Sequence, residues 1–157
     1  MKPVYIAKAE TYLGLKEIVG ELHNKVILSW WSKLKAWFVD DETPWCGLFV
    51  AVCLKETGYE IPKTFYRALE WVNYGEMCSP SYGAIAVLRR KGGGHVAFVV
   101  GRTLAGKVVL LGGNQGNMVK YIAVDSKEII AYRRPIGEVL DRRLAIIKVS
   151  DLDKNFA

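Results

Sequence analysis

The spacing of apolar positions changes near residue 84. Before it, apolar residues recur at helical intervals; after it, they come in short β-rich runs. Residues 4–13 (VYIAKAETYL) predict a helix closing at Gly14. Residues 25–38 (KVILSWWSKLKAWF) predict a second, with three tryptophans beside three lysines. Such a run fits a helix with one face in a core, the preferred reading, or one lying at a membrane interface. Residues 45–57 are nearly all apolar and stop at Gly58, a helix-ending glycine. Residues 65–74 (FYRALEWVNY) follow Thr64 as N-cap and end at Gly75.

Beyond residue 84 come AIAVLRR, HVAFVVGR, KVVLLG, MVKYIAV and IIAYRR, separated by KGGG, LAG, GNQGN and DSKE. These are strand runs broken by turn residues. Connections this short join antiparallel neighbours. Helices first and an antiparallel sheet of about five strands second is the α+β order. Residues 136–157 are more polar and weakly patterned, as in a packed tail, and no internal repeat or low-complexity segment is visible.

Length and composition narrow the class. The 157 residues suit a single domain spanning 1–157. A hydrophobic share of 51% against 24% charged excludes a disordered chain. The formal charge of +6 and sequence pI of about 9.2 favour an anionic partner: nucleic acid, anionic lipid or an acidic wall polymer. Arg89-Arg90-Lys91 and Asp141-Arg142-Arg143 are too short and scattered for a nucleic-acid block, so surplus surface cations explain the excess equally well. Three cysteines, Cys46, Cys53 and Cys78, without a CxxC, suggest neither a disulfide framework nor a zinc ribbon. On one helix Cys46 and Cys53 would stand ~10 Å apart, too far for a disulfide. Synthesis in a reducing compartment is expected. Lys8 and Glu10 interrupt the place of a signal-peptide apolar core, and no run approaches the ~18 apolar residues of a membrane span.

The candidate chemistry starts at DDETPWCGLF, residues 40–49. With Thr43 as N-cap, Pro44 falls at N1, Trp45 at N2 and Cys46 at N3. A thiol there meets free backbone N–H groups and the positive end of the helix dipole, both of which favour thiolate. The competing reading is a buried, inert cysteine, which is expected for Cys53. Of two histidines, His95 opens a strand after a glycine turn, sharing a face with Ala97, Val99 and Gly101, while His23 reads as an exposed loop residue. A Cys/His pair needs an oxygen to hold the other ring nitrogen, and Asn114 and Gln115 end a strand able to lie beside that of His95. GGNQGN read as a phosphate cradle lacks the Lys-Ser/Thr of a P-loop. Ligand spacing gives no support to a metal site.

TPWCGLF, GGGHVAFVVG, LLGGNQGN and AYRRP, in that order, resemble the NlpC/P60 and CHAP superfamily of papain-like peptidoglycan hydrolases, in particular a small phage- and prophage-associated family within it. YLGLKEIVGELHNKVILSW and RALEWVNYG extend the resemblance over about residues 4–135. It implies a papain-like fold, with Cys46 as nucleophile and His95 as general base and then acid. The third residue would be polar, Asn114 first and Gln115 as alternative. That family usually opens its first strand with Gly-Asp, where this chain has Gly83-Ala84; the acid is taken as structural. The multi-acid calcium loop of some CHAP enzymes is absent, so neither metal nor cofactor is expected.

The expected substrate is peptidoglycan, cleaved at a peptide or amide bond, with Trp45, Tyr82, Trp71 and Asp41 as candidate substrate contacts. Core packing is the competing reading for each aromatic and the preferred one for Trp71 and for Tyr74, a further candidate wall residue; capping or solvating the turn is preferred for Asp40 and Asp41. A monomer is expected, without nucleic-acid partner or stable membrane insertion. It would be made in the bacterial cytoplasm and reach the wall through holin-type release or injection, as an endolysin or virion lysin. The alternatives are an antibacterial amidase effector of the same chemistry, a non-catalytic wall-binding or virion module, and an acyltransferase acting at a membrane.

Overall fold

The structure, a computed structural model, describes residues 2–16, 24–34, 45–90 and 93–152. The helices precede the sheet. Helix α1 is Val4–Glu10, α2 is Lys25–Lys33 and α3 is Cys46–Lys55. The first is shorter than predicted because residues 11–14 leave the helix in turns, ending at Gly14 with φ +89°. Asn24 starts α2, its side-chain oxygen accepting the N–H groups of Val26 and Ile27 at 2.8 and 3.2 Å. Trp30 and Trp31 are buried, which puts the tryptophan face of α2 in the core rather than at a membrane. The remainder of the predicted second helix, 35–38, lies outside the described residues, as does His23. Helix α3 is buried from Cys46 to Leu54 and is followed by Gly58 at φ +94°. The predicted helix at 65–74 is instead a short 3-10 helix, Ala68–Asn73, preceded by turns. The Trp71 Nε1–H donates to the Phe65 carbonyl at 2.8 Å and fixes that turn.

Among the described residues the sheet has six strands rather than about five: β1 (Glu76–Met77), β2 (Ile85–Arg90), β3 (Gly93–Arg102), β4 (Val108–Gln115), β5 (Met118–Val124) and β6 (Ile129–Arg134). All pairs are antiparallel and the spatial order is β1-β6-β2-β3-β4-β5. Strands β2 to β5 are successive hairpin neighbours, as the short turns require. Strand β6 returns beside β2 and adds the two-residue β1, too short to show a period-2 pattern in sequence.

Alternation sorts each strand between two cores. Val87, Val96, Phe98, Val109 and Leu111 face the helices and pack with Phe49 and the buried residues of α1 and α2. Ala86, Leu88, Ala97, Val99 and Leu110 form a second cluster on the other face, against Leu140 and Leu144. The tail is therefore packed. It makes bridges at Tyr82–Asp141 and Arg102–Ile146, and it lies so close to Gly101 that a Cβ there would stand 2.6 Å from Ile147 Cδ1. The Tyr5 hydroxyl donates to the Gly83 carbonyl at 2.6 Å, tying α1 to the start of β2, where Ala84 is fully buried. Among the described residues no helix is long and apolar enough to cross a membrane.

Candidate active site

Helix α3 places Cys46 at the sheet. Trp45 is the N-cap, with non-helical φ −122°, and its carbonyl accepts the Phe49 N–H at 3.0 Å. Cys46 is therefore N1, not N3, one position into the helix. Thr43, Pro44, Asp40 and Asp41 lie outside the described residues. The thiol is 6% exposed. Burial pushes it above the ordinary thiol value, against the backbone N–H groups of Val96, Gly47 and Cys46 itself and the charge of Arg90, which pull the other way. The expected thiolate is thus corrected: the helix start favours the anion, but desolvation wins and the resting group is the thiol. Cys53, fully buried about two turns further along α3, is pushed up further, chiefly by the same cause.

His95 stands on β3 next to Val96. Its Nε2 lies 2.9 Å from Gln115 Oε1, and the ring is 5% exposed. Gln115 Nε2 is directed at two carbonyls, Lys120 O at 2.6 Å and Leu110 O at 3.5 Å. Carbonyls only accept, so the NH2 faces them and the carboxamide oxygen faces the ring. The ring proton is then on Nε2, and Nδ1 keeps its lone pair. Burial pushes the imidazole down to about 4, with Arg90 adding to this and the Gln115 bond opposing it. At neutral pH both thiol and imidazole are uncharged.

Two glycines make this arrangement possible. A Cβ on Gly112 would stand 2.8 Å from Gln115 Oε1 and 2.7 Å from Ala97 Cβ, so its bareness admits the carboxamide. A Cβ on Gly113 would stand 2.6 Å from Phe49 Cβ and 2.7 Å from the Trp45 ring, so its bareness admits the first turn of α3 on the opposite face. Asn114 follows at φ +57° in an irregularity of the β4–β5 ladder, and Gln115 rejoins that ladder opposite Met118. Gln115, not Asn114, thus meets the histidine; the Asn114 side chain makes no hydrogen bond among the described residues.

Thiol and imidazole reach β3 at consecutive residues from different sides. Val96 faces α3, whereas His95 shares the alternate face with Ala97 and Gln115. The registered β3–β4 ladder begins at Phe98–Leu111, and beside residues 95–97 the two strands meet through side chains, His95 on Gln115 and Ala97 against Gly112. No hydrogen bond joins Cys46 to His95 among the described residues.

A cavity of about 410 Å3 opens at Cys46, walled by Tyr66, Arg67, Leu69 and Glu70 with Gly93 and Gly94 on the β3 side. A side chain at Gly94 would collide with Leu69 at 2.6 Å. None of these wall residues was singled out from sequence, where FYRALE read only as helix; the Arg67/Glu70 pair was the available signal. Conversely, Trp45 and Trp71 have no exposed surface and pack in the core, so neither ring lines this cavity. Tyr82 lines a separate cavity of about 290 Å3 with Glu10 and Tyr121. Asp41 is outside the described residues. Among the described residues no group of three or more His, Cys, Asp or Glu side chains is placed to hold a metal ion. No family model, no curated protein and no solved structure matches the chain.

Proposed function

We propose that this protein is a thiol-dependent amide hydrolase of peptidoglycan, with Cys46 as nucleophile, His95 as general base and then acid, and Gln115 as the residue that orients the imidazole. The observation that carries the reading is the His95–Gln115 bond: it spends Nε2 on the carboxamide and leaves Nδ1 as the base, on the residue next to the backbone N–H that the Cys46 sulfur meets. The substrate class rests on the motif resemblance described above. It is also in keeping with the basic surplus and with a cavity offering both Arg67 and Glu70 to a zwitterionic peptide.

The reaction starts from a neutral pair. As Sγ attacks the carbonyl carbon, its proton passes to His95 Nδ1, and the carbonyl oxygen takes the negative charge. The N–H groups of Cys46 and Gly47, which lie at the sulfur in the first helical turn without intrahelical acceptors, are the candidate donors to it. The imidazolium protonates the leaving amine, giving a thioester. Water, deprotonated by Nδ1, then releases the acid and restores the thiol. The chemistry requires Sγ and Nδ1 to meet; because His95 lies on the sheet face opposite Val96 and α3, this takes a backbone shift of the β3 start near residues 93–96 and not side-chain rotation alone.

A second reading is favoured by the lack of a Cys46–His95 hydrogen bond and by the raised thiol: a wall-binding module that retains the fold without turnover. Turbidity of purified peptidoglycan, with product masses, separates the two. Clearing with new amine and carboxyl ends by the wild type, abolished in Cys46→Ala, supports the hydrolase. Wall binding without clearing in both proteins leaves the binding module. Holin-type release or injection would bring either protein to the wall.

A further inference from the structure

Four arginines surround the junction of β1, β6 and the tail, and two of them are engaged. Arg133 donates from Nε to the Tyr74 carbonyl at 2.7 Å and from an Nη to that of Gly75 at 3.2 Å. Arg143 grips Asp141 with two bonds, at 3.1 and 3.2 Å. The other two are not committed in this way. Among the described residues the one ion-pair partner of Arg134 is Glu76, at 3.7 Å, and its buried Nε–H has no hydrogen-bond acceptor. The Glu76 oxygen nearest to it is already accepting the Gly137 N–H at 3.1 Å. Arg142 is exposed and has no ion pair or hydrogen bond among the described residues.

These two arginines line one cavity of about 440 Å3 together with Ser79 and Ser81. Ser81 is 2% exposed and donates to the Ser79 carbonyl at 2.9 Å, which fixes the 79–81 turn and leaves the Ser79 hydroxyl to act as donor. Two like charges brought to one concavity repel each other, and among the described residues Glu76 alone pairs with one of them. A ligand carrying several acceptor oxygens would remove that repulsion and occupy the idle guanidinium donors. We infer that this cavity, on the face of the sheet away from α3, is a binding site for a phosphate group, read by Arg134, Arg142 and Ser79. It is independent of the Cys46 site and of the reading given to it. The same chemistry is available from a soluble phosphate ester or from a phospholipid headgroup, and Met77 on the cavity rim, 77% exposed, suits an acyl or glycerol fringe beside such a phosphate.

The test is isothermal titration of the full chain with inorganic phosphate at constant ionic strength, which holds general screening fixed. Saturable binding is expected, weakened about tenfold in Arg142→Ala, the scale of one charge-assisted hydrogen-bonded contact. It should be unchanged in Arg143→Ala, whose charge Asp141 already neutralises. Both residues are exposed, so both variants should fold, and matching thermal midpoints check this. Absence of saturation, an unaffected Arg142→Ala, or equal weakening in both variants overturns the site. Competition by phosphatidylglycerol vesicles assigns the phosphate to a lipid headgroup. Competition by glycerol 3-phosphate alone assigns it to a soluble ester.

Discussion

The Nε2–H of His95 donates to Oε1 of Gln115 across 2.9 Å, with both residues buried. Neither partner can turn freely, because Lys120 and Leu110 carbonyls hold the amide end of Gln115. Removing the carboxamide frees the ring to adopt the other tautomer. Gln115→Ala is expected to lower wall hydrolysis by about 10- to 100-fold, part of what a positioned acid–base group contributes. Asn114→Gly, which keeps the left-handed backbone at φ +57°, should change the rate by less than about twofold. Initial rates of peptidoglycan clearing with matched circular dichroism check both, and the reverse ranking would return the orienting role to Asn114.

The same burial gives stability a pH dependence. His95 has its folded value pushed from 6.5 down to about 4, so between those values the unfolded chain binds the proton and the folded one does not. The associated stability is fully present above pH ~6.5, falls as pH drops toward ~4, and is lost below it, an effect on the order of 3 kcal/mol. Urea midpoints at pH 7.5 and 4.5 should converge less in the wild type than in His95→Gln, which cannot titrate. Equal acid losses in the two proteins would count against a buried neutral imidazole.

Cys46 should be slow to alkylate. Its thiol is raised above 9.0 by burial, so the iodoacetamide rate at Cys46, followed by peptide mass, should still be climbing beyond pH 9. A plateau below pH 8 would show that the helix start and Val96 N–H outweigh desolvation after all.

How much of this was legible in sequence follows from what each signal reports. The helix and strand runs were, because period and turn residues are local: Gly58 and Gly14 take the positive φ that their positions suggested. Strand β1 was not, because its two residues exist only through pairing with β6. Cys46 and His95 could be named as candidates, but the ranking of Asn114 over Gln115 depended on the β4 irregularity, which turns one residue left-handed and returns the next to the ladder. The sign of the thiol shift was also beyond sequence: the helix start could be read, whereas desolvation depends on Val96 and Leu69 arriving from distant parts of the chain. Trp45 misled for a related reason: beside Cys46 it suggested a binding wall, yet it packs in the core, as does Trp71, for which core packing was the preferred reading.

Gly47 carries the last prediction. It is the second residue of α3, beside the nucleophile candidate, and a Cβ there would stand 2.1 Å from the Phe65 carbonyl oxygen and 3.2 Å from its carbon. Neither atom belongs to a side chain that could swing away, and the Trp71 Nε1–H holds that same oxygen at 2.8 Å. Gly47→Ala gains helix propensity of up to about 1 kcal/mol, but must displace either the α3 first turn or the 65–71 turn. Overpacking at backbone costs typically 1–3 kcal/mol or more, so a net loss of about 2 kcal/mol is expected in urea denaturation. Because the 65–71 turn carries Tyr66, Arg67 and Leu69 of the Cys46 cavity, hydrolysis should fall in conditions where the variant is still fully folded. A variant as stable as the wild type would mean that α3 and the 65–71 turn do not meet this closely.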